Sequence, residues 1–164
     1  HLKEMLKSTK SSTMYREMTD VQYVLRFFTL REYWMNFPGN MDKAMDYYMA
    51  ENLDMPSSNI QDLKDMYNRS VDFCEAVWGV DAFKRLGKSS RVIQGMYDVQ
   101  MVCVSLLDTQ EYNNAISKPR QVNDVLVNEM NVNEEFLTSI TQFTSNAEHV
   151  RYRIEHFTNL LKGI

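Results

Sequence analysis

The chain has 164 residues, with 18 lysines and arginines, 22 aspartates and glutamates, and a formal net charge of −4. This length is sufficient to bury a core as one domain. Five glycines and three prolines, with no Asn-Gly or Asp-Gly pair, are too few turn residues for a β-sandwich or a β-barrel. The same scarcity disfavours doubly wound α/β folds and glycine-rich phosphate loops. We therefore expect an all-α bundle with a core rich in methionine and aromatic residues.

The apolar spacing predicts seven or eight helices and no strand. A short helix over His1–Ser8 precedes a longer one, which has Thr19 as its N-cap, Gln22 in the capping-box position and its end at Phe37. The apolar arc of this second helix exceeds half of its circumference, with Phe28 near the middle, which predicts a central place in the bundle. Its narrow polar stripe consists of Gln22, Arg26, Thr29 and Asn36.

The later helices are predicted from Asn40 to before Pro56, from Ser58 to Gly79, from Val92 to Asp108, and from Pro119, Asn131 and Ser145 onwards. Between them, Asp81–Leu86 is predicted as one helical turn, Lys88–Ser90 as a loop and Thr109–Ser117 as a polar connector. We expect one helical domain over residues 1–164, a fragment of a larger protein, with the best candidate for a minor break at residues 110–119.

The two cysteines, Cys74 and Cys103, lie far apart in apolar helical patterns and lack the spacing of metal ligands. This pattern favours reduced, buried thiols in a cytoplasmic protein over a disulfide. No apolar run reaches about 18 residues, and no signal peptide is present, so neither a membrane span nor secretion is expected.

No catalytic constellation is visible in the sequence. There is no His-Glu-x-x-His, Gly-x-Ser-x-Gly, Walker or EF-hand motif, and two histidines on one helix do not make a zinc site. The paired carboxylates Glu134 and Glu135 lie in a predicted first helical turn, where they stabilise the helix dipole. We therefore expect no catalytic residue, no metal site and no cofactor in this chain.

Two basic groups stand out against the acidic total. The first, here called the basic loop, consists of Lys84, Arg85, Lys88 and Arg91, and it leads into a predicted helix N-terminus that could hold a DNA phosphate. The second, here called the C-terminal basic face, consists of His149, Arg153 and His156, and it could contact nucleic acid or an acidic partner. The simpler interpretation of each group is a solvated surface.

Several segments, in order, resemble the helical half of the domain-of-unknown-function 262 family, the GmrSD-like group. The run from Arg16 through Asp20 to Val24-Leu25-Arg26-Phe27 resembles the run that opens this half. Three further segments resemble later parts of the family: Met41–Met49; Phe73–Phe83, after which Lys84 replaces the family's arginine; and Phe136–Ile154, which contains Val150-Arg151-Tyr152-Arg153-Ile154.

The resemblance implies a non-catalytic helical portion of a nucleotide-dependent DNA restriction protein of phage defence. Its partner would be a preceding ParB-like domain of the same protein, and DNA is a second expected partner. Nucleotide and divalent metal would belong to the full-length parent, because the family's Asp-Gly-Gln-Gln-Arg motif and the Asp-His-Ile…Pro nuclease signature do not occur here. The alternative is a stand-alone helical protein-interaction module, and an enzyme complete within these residues is the least favoured of the three.

Overall fold

All regular structure in the described part of the chain is helical. A computed structural model describes residues 18–84 and 91–164, which form eight helices and no β-strand. Extended pairing among these residues is an isolated antiparallel bridge between Lys84 and Val92. The predicted all-α class is confirmed. The predicted helix at His1–Ser8 and the predicted loop at Lys88–Ser90 lie outside the described residues.

Seven of the eight described helices are α-helical throughout: α1 (Thr19–Tyr33), α2 (Met41–Glu51), α3 (Ser57–Trp78), α5 (Thr109–Ile116), α6 (Pro119–Val132), α7 (Glu134–Thr141) and α8 (Ala147–Lys162). The remaining helix, α4, is composite: Gln94–Tyr97 is α-helical, Asp98–Val102 is π-helical and Cys103–Ser105 is α-helical. Short 3-10 turns follow α1 at Trp34–Asn36 and α3 at Gly79–Asp81. None of the described helices combines the length and apolar character that a bilayer span requires.

The centre of the bundle is α4. Every residue from 95 to 104 is buried, and α4 packs against α1, α3, α7 and α8. The prediction that α1 is central is wrong, because α1 leaves Val21 53% exposed and Phe28 only partly buried. It instead buries Arg26 and Thr29, two members of its predicted polar stripe. The stripe turns inward because Arg26 finds a carboxylate partner inside the bundle.

Gly95 allows α4 to approach α7 closely. A Cβ at this position would lie 2.3 Å from the carbonyl oxygen of Ile140 and 2.7 Å from its Cα. These contacts are with backbone atoms, which cannot move aside as a side chain can. A residue larger than glycine would therefore separate the two helices at the middle of the core.

The helix starts are partly as predicted. Asn40 caps α2 by accepting a hydrogen bond from the amide of Lys43 at 3.0 Å, and proline stands at the start of α6. Four predicted caps are wrong by one or two residues: Thr19, Ser58, Asn131 and Ser145 are replaced by Met18, Pro56, Asn133 and Asn146. Asparagine at the last two positions supplies an equivalent acceptor, which explains why the capping signal lay close to the true start.

The predicted polar connector Thr109–Ser117 is wrong. Thr109–Ile116 forms α5, which packs against α6 and α8. A capping box fixes its start: Asp108 accepts from the Glu111 amide at 2.8 Å, and Glu111 accepts from the Asp108 amide at 2.9 Å. Reciprocal capping compensates for the low apolar content of this short helix, which the spacing of apolar residues alone could not reveal.

Candidate functional site

A buried ion cluster joins three helices that are distant in sequence. Asp98, in the π-helical segment of α4, is fully buried and binds two buried arginines. Arg26 of α1 donates from Nε to Oδ1 at 2.6 Å and from Nη2 to Oδ2 at 2.7 Å. Arg153 of α8 donates from Nη2 to the same Oδ2. Arg26, Asp98 and Arg153 are called the Asp98 cluster below.

The same guanidiniums also hold the connection between α7 and α8. The carbonyl oxygen of Thr144 accepts from Arg26 Nη2 at 3.0 Å and from Arg153 Nη2 at 2.7 Å. The carbonyl oxygen of Ser139 accepts from Arg153 Nη1 at 2.7 Å. The Asp98 cluster therefore fixes α1, α4, α7 and α8 relative to one another with directional bonds.

Asp98 is held in its ionised form. Burial by itself would raise the pKa of this carboxyl, but the guanidiniums of Arg26 and Arg153 outweigh burial and hold the pKa below its ordinary value. Both of its oxygens already accept hydrogen bonds from arginine. A fully buried carboxylate occupied in this way is unsuited to exchange protons with a substrate, so the arrangement is structural rather than catalytic.

A small pocket approaches the Asp98 cluster from the surface between α1 and α2. Its volume is about 120 Å³, and its lining includes Gln22, Tyr23, Arg26, Met41 and Ser145. Sites for ligands of drug or cofactor size have volumes of about 300–1,000 Å³. This pocket is too small to enclose a nucleotide.

Sequence reasoning missed Asp98 and placed Arg26 on a solvent-facing stripe. A signal was present: between Val92 and Leu107 the only charged residue is Asp98, within an otherwise apolar and uncharged polar run. A lone carboxylate in such a run requires a buried cationic partner. The partners themselves, Arg26 and Arg153, could not be identified without the fold, since they lie 72 and 55 residues away.

The structure places the members of the basic loop in different environments. Lys84 is 7% exposed, and its ammonium donates to the carbonyl of Val80 and lies 3.8 Å from the carboxylate of Asp81. Its inclusion in an exposed phosphate-binding group is therefore a wrong prediction. Arg91 is exposed, and Arg85 and Lys88 lie outside the described residues.

The C-terminal basic face needs a larger correction. Arg153 is fully buried in the Asp98 cluster, because Asp98 supplies a counter-charge inside the bundle, so it cannot contribute to a surface. Nε2 of His156 lies 2.8 Å from a carboxylate oxygen of Glu129, and its ring stacks on Tyr152. The ring of His149 stacks on Phe143, with 5.0 Å between centroids. Two separate, half-buried histidines remain in place of the predicted face.

The remaining reactive groups are buried or dispersed. Both cysteines are free and buried, as predicted. Burial raises the pKa of the Cys103 thiol to about 12 and that of Cys74 well above its ordinary value, so both thiols are protonated at neutral pH. Glu134 and Glu135 lie in the first turn of α7. In the described ranges, no three His, Cys, Asp or Glu side chains are grouped as metal ligands.

A second surface feature is a groove of about 540 Å³ between the ends of α1 and α2 and the start of α3. It is called the acidic groove, and its main lining residues are Glu32, Tyr33, Tyr48, Glu51, Met55 and Asp62. None of the described residues that line it is basic.

Comparison of the chain with protein-family models, curated proteins and solved structures gave no match.

Proposed function

We propose that this chain is the helical, non-catalytic portion of a GmrSD-like, nucleotide-dependent DNA restriction protein, in which it supports a preceding ParB-like domain. The observation that carries the proposal is the meeting of Arg26 and Arg153 on Asp98. These arginines belong to the two segments that most resemble the opening and closing runs of the family's helical half.

A third resembling segment reaches the same part of the core. Phe83, at the end of Phe73–Phe83, packs its ring 5.0 Å from that of Tyr97, the residue before Asp98. Three of the segments that resemble the family thus pack around α4, the centre of the bundle, which itself lies outside them. This arrangement supports a scaffolding role for the resembling residues and assigns no chemistry to them.

The proposal is tested with the purified chain and with the longer natural protein encoded by the same gene. The upstream sequence should encode an αβ domain with an Asp-Gly-Gln-Gln-Arg motif, and the longer protein should hydrolyse nucleotide and cut DNA with a divalent metal. The 164-residue chain alone should do neither. Metal-dependent turnover by the chain alone, abolished by Glu134→Gln or His156→Ala, would contradict the proposal.

DNA contact through the basic loop would depend on Arg85, Lys88 and Arg91, because the ammonium of Lys84 is already bound within the protein. In the longer protein, replacing Lys88 and Arg91 together by alanine should weaken DNA binding. If both touch phosphates, the slope of log affinity against log salt concentration should fall by about two units. An unchanged slope would assign these residues to a solvated surface.

A stand-alone protein-interaction module is the second candidate, and the acidic groove is the observation that favours it. Aromatic residues and methionine are enriched at protein–protein interfaces, and Tyr33, Tyr48 and Met55 line this groove. If the natural protein begins at the first residue of this chain, the module is favoured over the restriction protein.

A further inference from the structure

The segment 32–65, which contributes every described residue that lines the acidic groove, is strongly acidic. Residues 32–65 carry seven carboxylates and two lysines, a net charge of −5, whereas the whole chain carries −4. All nine of these charged side chains are exposed. The remainder of the chain therefore has a net charge of +1, and three of the seven carboxylates, Glu32, Glu51 and Asp62, line the groove.

Aromatic and apolar side chains line the same groove. Tyr33 and Tyr48 contact each other edge to face, with 6.2 Å between centroids, and Met55 and Leu63 add apolar surface. Aromatic faces attract ammonium and guanidinium groups, and the neighbouring carboxylates add to that attraction. The groove therefore offers favourable contacts to both the charged end and the alkyl chain of a lysine or arginine.

Glu51 is held in position at the groove. Its carboxylate accepts one hydrogen bond from the hydroxyl of Tyr33 and another from that of Tyr47, the latter at 2.6 Å. These two bonds lower the pKa of Glu51, so the group is ionised at neutral pH. A fixed, charged acceptor between aromatic rings can bind a cation with less loss of side-chain freedom than a mobile one.

The segment that forms the acidic groove also carries exposed apolar side chains. Ten large apolar side chains are exposed among the described residues, and half of them lie between residues 35 and 60. These five are Met35, Tyr47, Met49, Leu53 and Ile60. Leu53, in the connection between α2 and α3, is 80% exposed.

We propose that the acidic groove binds a cationic amphipathic segment of another protein, one that places lysine or arginine beside apolar side chains. Charge complementarity selects this occupant: a second copy that docks groove to groove would bring like charge, and an acidic or neutral apolar segment would leave the carboxylates uncompensated. The side chains of Met55 and Leu63, which line the groove, can contact the apolar face of the segment. The proposal is independent of any restriction activity of the parent protein.

The test uses the full chain and a fluorescent amphipathic peptide of about 15 residues with lysine and leucine at helical spacing, measured by fluorescence anisotropy. The groove variant Glu32→Gln/Asp62→Asn removes two lining charges and leaves Glu51 and its tyrosines unchanged. The matched control Asp124→Asn/Glu155→Gln removes two exposed charges from α6 and α8.

The peptide should bind the parent chain and the control with similar affinity, and the groove variant should bind about tenfold more weakly. A peptide with glutamate in place of lysine should not bind, and one with serine in place of leucine should bind more weakly. Equal weakening of binding in the groove variant and the control would overturn the proposal. Absence of peptide binding to the parent, or self-association of the chain that the groove variant abolishes, would also overturn it.

Discussion

Replacing Asp98 by asparagine should destabilise the fold severely. Asparagine has nearly the same shape and keeps one acceptor oxygen, so the substitution removes the negative charge without opening a cavity. The guanidiniums of Arg26 and Arg153 then remain in the interior, where they are 4% and 0% exposed, without a counter-charge. The change therefore removes the negative charge, and at least one hydrogen bond from arginine, with almost no change in side-chain volume.

The magnitude follows from the number of partners. Removing one member of a buried ion pair costs about 3–5 kcal/mol, because the other charge is left uncompensated. One substitution here leaves two arginines uncompensated, so we expect a loss of about 4–5 kcal/mol. The free energy of unfolding of a natural domain is about 5–15 kcal/mol. About a quarter of the stability or more should therefore be lost.

Urea denaturation followed by far-UV circular dichroism measures this loss. Asp124→Asn, which removes an exposed carboxylate from α6, is the matched control. It should change the free energy of unfolding by less than about 0.5 kcal/mol. If Asp98→Asn and Asp124→Asn unfold at the same urea concentration, the buried cluster does not stabilise the protein and the reasoning is refuted.

Three further predictions concern the core. Phe27→Ala removes a fully buried side chain and should lower the free energy of unfolding, measured by urea denaturation, by about 3–5 kcal/mol. Phe28→Ala removes a half-buried side chain and should lower it by about half as much. Equal losses in the two variants would contradict the orientation of α1. Gly95→Ala should lower the free energy of unfolding by about 3 kcal/mol, and with it the thermal midpoint, because the new Cβ would meet the backbone of Ile140. An unchanged thermal midpoint would contradict the close approach of α4 and α7. The pKa of Asp98 lies below its ordinary value of 3.8, so the stability that comes from its ionised form is present above about pH 4 and lost at lower pH. The difference in unfolding free energy between the parent and Asp98→Asn should therefore decrease only below that pH. A difference that already decreases between pH 5 and 7 would contradict a lowered pKa for Asp98.

The helical class of the fold was predictable because it depends on local signals. Scarce turn residues, apolar spacing and capping residues such as Asn40 act within a few positions of one another. The capping box at Asp108 is equally local, and it was overlooked because α5 has few apolar residues. At α7 and α8 the start differs from the prediction by one or two residues because a neighbouring asparagine is the cap, whereas α1 and α3 begin at residues without a side-chain cap.

The position of each charged residue was not predictable from local spacing. Arg26 has the spacing of a polar stripe, and Arg153 has the spacing of a surface shared with two histidines, yet both are buried. What determines their burial is a carboxylate far away in sequence, at the centre of α4. The excess of carboxylates over residues 32–65 is visible in the sequence. The acidic groove itself was not predictable from local spacing, because three separate helices line it.

Stability of the triple variant Arg26→Met/Asp98→Leu/Arg153→Met, compared with Asp98→Leu alone, tests whether Arg26 and Arg153 affect stability through Asp98. Apolar side chains of similar volume can replace a complete buried ion network at little cost, whereas an incomplete network is strongly destabilising. The triple variant should therefore be more stable than Asp98→Leu and lie within about 2 kcal/mol of the parent in urea denaturation. If the two arginine substitutions lower the stability of Asp98→Leu still further, the arginines do not act through Asp98, and the structural role assigned to these three residues is wrong.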